Sequence, residues 1–298
     1  VKTHHHPEAA VLASVLFLAL ISFSLGSTTP VSAQTVVDIL PTANGAWGLE
    51  YHDGFLWVGN DTNGFIEKTD PSDGSVLETL PTPYDENTIQ FGANHGVAWD
   101  GVGFWVAGDF NKDWLYRVGS NGALLDSLPT PTDAVGGLAF DGSLLLVTSY
   151  YPNGEAGILK VDPADGSIVG PTIPTQGAQP FGIVYYTADG TLWNGMDDND
   201  GDVEKIWNLS AADGSVISSF DPPASSPKGI AQGGGFLWVI ANNSQGSGRR
   251  IYKIDLDGGG TPDVTALPAS HDFGIVAIGS PGSYNQTLRN DGDGDLTI

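Results

Sequence analysis

The chain has 298 residues, a formal charge of −24 from 11 basic and 35 acidic side chains, and no cysteine. So acidic a surface repels nucleic acid and anionic membranes, and without disulfides stability has to come from a packed core, which a chain of this length can supply. Surplus acid also serves solubility, and it suits a saline or calcium-containing exterior.

Lys2 precedes an apolar run from Ala9 to Leu25, and Val31-Ser32-Ala33 places small residues ahead of Gln34. This pattern predicts a secretory signal peptide over 1–33, with an uncleaved membrane anchor as the competing reading. Cleavage removes one Lys and one Glu and leaves the net charge unchanged. The expected location is outside the cell or on its surface, with no membrane span in the mature chain.

From Gly48 to Leu256 one phrase recurs five times, anchored on Gly48, Gly96, Gly137, Gly182 and Gly229 at spacings of 48, 41, 45 and 47 residues. Each copy carries a short strand after the glycine, then an apolar strand in which four of five copies place Trp57, Trp105, Trp193 or Trp238 and the third places Leu146. A third strand and a fourth ending in proline follow, the last two joined by Asp-Gly turns such as Asp70 to Ser75. Short β-branched and aromatic runs bounded by Gly, Pro, Asp and Asn are strands, and a unit of four strands repeated every 40 to 50 residues is the blade of a propeller. The fold class is therefore all-β, with the propeller over 34–260.

Thr35 to Thr42 reads as a fourth strand with no first three before it, while the fifth copy has three strands and then changes character. A ring leaves two sheet edges open unless its ends are joined. The N-terminal strand is expected to complete the fifth blade and close a five-bladed ring. In the alternative, Pro262 to Pro268 supplies that strand and Thr35 to Thr42 becomes an extra edge or part of a sixth blade.

In an up-and-down blade the second-to-third loops and the blade-to-blade entries emerge on one face. Four residues past each tryptophan position stand Asp61, Asp109, Tyr150, Asp197 and Asn242. A ring of such oxygens suits a hard cation such as Ca²⁺, so Asp61, Asp109, Asp197, Asn242 and the loop residue Asp200 are candidate metal ligands, although Asp and Asn also simply begin turns. The residues entering each blade before the glycine are Trp47, His95, Gly136, Phe181 and Lys228. Trp47, His95, Phe181 and Lys228, with Tyr150, form a candidate ligand mouth. No Ser-His-Asp set, phosphate loop or zinc spacing is present.

The wording Gly-Leu-Ala-Phe-Asp-Gly, Leu-Trp-Val and Lys-Val-Asp-Pro-x-Asp-Gly resembles secreted bacterial propellers of the broad YVTN, NHL and lactonase-like type. That resemblance implies architecture more than activity. Virginiamycin B lyase is similar in its Gly-Ile and Leu-Trp phrases but has seven blades. Five-bladed glutaminyl cyclotransferases match the count, yet they use a glutamate after the second strand where this chain has Asp61, Asp109 or Asn242. From Asp263 the text, with Asp272-Phe273-Gly274, Val276, Gly279, Leu288, Asn290 and Gly292, resembles the start of the abnormal-spindle and hydin type of immunoglobulin-like domain, known in bacteria as choice-of-anchor D. It implies a truncated β-sandwich over 261–298. The expectation is a monomeric, non-catalytic propeller of a modular protein that binds a protein or carbohydrate ligand. The alternatives are a calcium-dependent lactonase-like, lyase-like or glutaminyl cyclotransferase-like enzyme, and a structural spacer.

Overall fold

The computed structural model describes residues 34–84, 93–108, 114–150, 156–186, 189–197 and 204–256, together with 264–267 and 287–290. Every regular element among them is a β-strand. Five antiparallel four-stranded sheets follow one another in the chain. The first holds β2 (Ala46–His52), β3 (Phe55–Asn60), β4 (Phe65–Thr69) and β5 (Val76–Pro81). The second holds β6 (Gly96–Trp99), β7 (Phe104–Ala107), β8 (Trp114–Val118) and β9 (Leu124–Pro129). β10 (Val135–Phe140), β11 (Leu145–Ser149), β12 (Gly157–Val161) and β13 (Ile173–Pro174) form the third; β14 (Pro180–Tyr186), β15 (Thr191–Met196), β16 (Lys205–Ser210) and β17 (Val216–Phe220) the fourth.

The fifth sheet decides the closure. Its order is β18 (Ile230–Gly233), β19 (Phe236–Asn242), β20 (Arg249–Asp255) and then β1 (Thr35–Pro41). β1 runs antiparallel to β20 from Thr35 opposite Asp255 to Pro41 opposite Arg250, with a bulge between Val36 and Asp38. The chain is a closed five-bladed β-propeller. The reading that left Thr35 to Thr42 as a spare edge is overturned by this ladder. Most of the stretch resembling an immunoglobulin-like domain lies outside the described residues; within it, β21 (Val264–Leu267) pairs antiparallel with β22 (Thr287–Asn290).

Each repeated residue type has a packing reason. Trp57 packs 4.5 Å from Phe104 of the next blade, and Trp238 stacks 6.3 Å from Tyr51 across the closing seam. These tryptophans therefore join blades, and five apolar clusters fill the five blade boundaries. Directly across the sheet a cation covers the indole: Lys68 opposite Trp57, Arg117 opposite Trp105 and Lys253 opposite Trp238. Their charged heads lie 5.5, 5.7 and 5.6 Å from the ring centres, within cation–π range.

The anchoring glycines line a narrow axial channel with Leu49, Val97, Leu138, Ile183 and Ile230, too tight to hold a water molecule. A Cβ on Gly182 would run into the carbonyl oxygen of Lys228 in the next blade, and one on Gly229 into that of Trp47. Five innermost strands drawn this close to one axis leave no room for a side chain, which is why each repeat begins with glycine.

One blade departs from the pattern read from sequence. In place of a full fourth strand the third blade has only Ile173–Pro174 paired with β12, beside an isolated bridge from Val161 to Ile168. Gly170 at φ 73° and Pro171, which has no N–H to donate, interrupt the ladder.

Candidate functional site

Residues that enter the blades, with Tyr150 just past β11 and Asp197 just past β15, converge on one another at one face. Trp47, on β2, stacks flat on His95 of the second blade, 3.9 Å between ring centres at 2°. Phe181, on β14, meets Trp47 edge-on at 5.5 Å, and Tyr150, just past β11, lies 4.7 Å from Phe181. Lys228 completes the group, its ammonium 3.7 Å over the Phe181 ring and 4.6 Å from that of Trp47. Four residues from four separate blade entries thus share one aromatic and cationic cluster. Tyr150 comes from a loop after a second strand, not from an entry.

Apart from Trp47, which is partly exposed, the cluster is buried, and Lys228 is paired within the protein. Lys228 is 4 % exposed and Asp197 3 %, and the ammonium donates to Asp197 Oδ2. Ser226 Oγ donates to the same oxygen at 2.8 Å, while its backbone N–H donates to Glu204 Oε1 at 3.0 Å. Burial lowers the Lys228 pKa to about 8, against the pull of Asp197. His95, 4 % exposed, is driven well below the ordinary imidazole value, first by burial and then by the charges of Lys228 and Arg249. A hydrogen bond with the Val135 backbone works the other way. His95 is therefore a neutral stacking partner at physiological pH.

Arg249, at the start of β20, was not singled out by the repeat because the other copies carry no arginine there. Its guanidinium lies 4.4 Å over the Trp47 ring and donates to the Ala46 carbonyl, so it bridges the seam where the ring closes. A basic pair, Arg249-Arg250, in so acidic a chain was the available signal. Burial lowers the Arg249 pKa while Asp61 and Asp197 raise it. Ser226 at φ 59° and Asn94 at φ 49° also stand at this face in backbone conformations that cost non-glycine residues energy.

The candidate metal positions have different surroundings. Asp197 carries Lys228 and Ser226, and Asn242 donates from Nδ2 to Ser225 Oγ at 3.1 Å. Asp61 is 8 % exposed, and among the described residues its Oδ1 has no hydrogen-bond partner. Burial raises its pKa, opposed by Arg249. Asp109 and Asp200 lie outside the described residues. Among the described residues no three His, Cys, Asp or Glu side chains are grouped to hold a metal.

No family model matches the chain, and no curated protein does. Among solved structures it is similar to the glutaminyl cyclase of Myxococcus xanthus, with a TM-score of 0.54 at 14 % identity over 74 % of this chain and 95 % of that one. It is also similar to Kuenenia stuttgartiensis hydrazine synthase, with a TM-score of 0.46 at 14 % identity over 69 % and 58 % of the two chains. A third is the WD40 domain of Pan2 from Neurospora crassa, with a TM-score of 0.44 at 12 % identity over 70 % and 62 %. At 14 % identity the likeness to the cyclase is one of fold.

Proposed function

We propose that the chain is a non-catalytic binding propeller of a modular secreted or cell-surface protein, engaging a protein or carbohydrate ligand on the face around Trp47 and Arg249. The observation that carries this reading is the concentration of buried ionisable groups there. Asp61, His95, Asp197 and Lys228 are all at most 8 % exposed, beside blade boundaries filled by apolar clusters. Holding such charges out of water is costly, and clusters of this kind collect at functional sites. Behind the face each base is already committed: Lys228 to Asp197, and His95 to its stack on Trp47. Trp47 and Arg249, partly exposed and fixed from below, are left to meet a ligand. Aromatic and arginine anchors of this kind dominate binding surfaces.

Glycan and peptide arrays test the reading. Binding is expected to fall at least tenfold in Trp47→Ala and Arg249→Met. Turnover of an N-terminal glutaminyl peptide or a lactone, lost in His95→Ala, would replace it with an enzyme; arrays that stay empty would favour the spacer.

A further inference from the structure

Lys228 and Asp197 are held together in a pocket that suits neither charge. Both are buried; Asp197 directly follows β15 of the fourth blade, Lys228 enters the fifth, and 31 positions separate them in the chain. The ammonium lies 3.7 Å over the Phe181 ring and 4.6 Å from that of Trp47, and it donates to Asp197 Oδ2. Polar groups gather around this contact. Ser226 Oγ donates to the same carboxylate oxygen at 2.8 Å, and Ser226 N–H donates to Glu204 Oε1 at 3.0 Å. Ser226 holds this position at φ 59°, a left-handed conformation that costs a non-glycine residue energy.

A site of this kind changes what an ion pair can do. Away from water an ammonium and a carboxylate lose their hydration, and their mutual attraction only partly replaces it. Moving one proton from Lys228 to Asp197 removes both charges and leaves an amine beside a carboxylic acid. Burial brings the Lys228 pKa down to about 8, so at pH 7 roughly one molecule in ten carries the free amine. A desolvated lysine is a nucleophile, and holding it against its electrophile supplies the proximity that two free molecules lack.

We propose that Lys228 Nζ and Asp197 Cγ become joined by an amide bond, a cross-link that the folded protein forms by itself. Nζ attacks the carboxyl carbon, and the oxygen that stays accepts from Ser226 Oγ through the tetrahedral intermediate and becomes the amide carbonyl. The other oxygen leaves as water with two of the three ammonium protons, and the third proton remains on the amide nitrogen. One ammonium and one carboxylate are consumed together, so charge balances without oxidant or co-reactant. Glu204, close enough to act on the Lys228 charge, is the neighbouring carboxylate able to pass a proton between the two groups. The bond ties the fourth blade to the entry of the fifth in a chain that has no cysteine for a disulfide. It stands whether or not Trp47 and Arg249 meet a ligand.

Mass spectrometry of tryptic peptides from the purified, denatured full chain tests it. In the wild type trypsin should fail to cut after Lys228, and 161–205 and 206–249 should be recovered as one branched peptide, lighter by one water than its two parts. Lys228→Arg keeps the positive charge without the amine and should release 161–205 unlinked at full mass. Cleavage after Lys228 and unlinked 161–205 as the main wild-type products would overturn the cross-link and leave the two residues an ion pair. A branched peptide that persists in Lys228→Arg would place the bond elsewhere and overturn it equally. Array binding by the same wild-type preparation reads the ligand proposal separately.

Discussion

Replacing Leu40 with alanine separates a closed ring from a strand that merely lies along its edge. Leu40 is 2 % exposed and packs in the seam cluster with Ile251 of its own blade and Leu49 and Val58 of the first. Its neighbour Ile39 pairs with Tyr252 in the same ladder but is 45 % exposed. A buried leucine truncated to alanine costs about 2–5 kcal/mol, from lost transfer energy and the cavity left behind. At about 2–4 °C per kcal/mol for a domain of this size, Leu40→Ala should lower Tm by about 4–20 °C. Ile39→Ala removes the same number of carbons from an exposed position and should stay within about 0.5 kcal/mol of wild type. Urea unfolding followed by tryptophan fluorescence reads both variants on one scale. Equal effects, or a wild-type midpoint for Leu40→Ala, would refute the claim that this strand is packed into the ring.

Two further outcomes follow from buried charge. Glu50 takes a position where other repeats have Ala98, Ala139 and Ala231, and burial raises its pKa from 4.5 to about 7 although the N–H groups of Trp99 and Tyr51 donate to it. The folded state therefore holds the proton more tightly than the unfolded chain. That contribution is full below about pH 4.5, fades as pH rises to about 7, and is constant beyond, at no more than about 1.4 kcal/mol per pH unit. Glu50→Gln should flatten urea stability across this window, and an unchanged slope would count against the assignment. Lys228→Met should cost about 3–5 kcal/mol because Asp197 is left buried and unpaired, while Lys228→Met with Asp197→Leu should recover much of the loss. A double variant as unstable as the single one would show that the pair is not what holds the mouth.

Much of the architecture could be read from residue order because a blade is built from local signals. Alternating apolar runs define its strands, and Asp-Gly turns such as Asp70 to Ser75 set the hairpins, with Gly74 at φ 75°. The closing strand was legible for the same reason, as a fourth strand without its first three. Repeat symmetry likewise marked Trp47, His95, Phe181 and Lys228 as equivalent, so their meeting at one axis follows once the ring is closed. Symmetry says nothing of what breaks it. That Lys228 reaches Asp197 and that Arg249 crosses the seam to Trp47 and the Ala46 carbonyl depend on side-chain reach across blade boundaries between residues as much as 203 positions apart. The sequence by itself determined the strands and the order of the blades, since these rest on near-neighbour hydrogen bonding and burial. Only tertiary structure decided which charges neutralise one another, because electrostatic pairing is set by distance and burial in space and leaves no periodic trace along the chain.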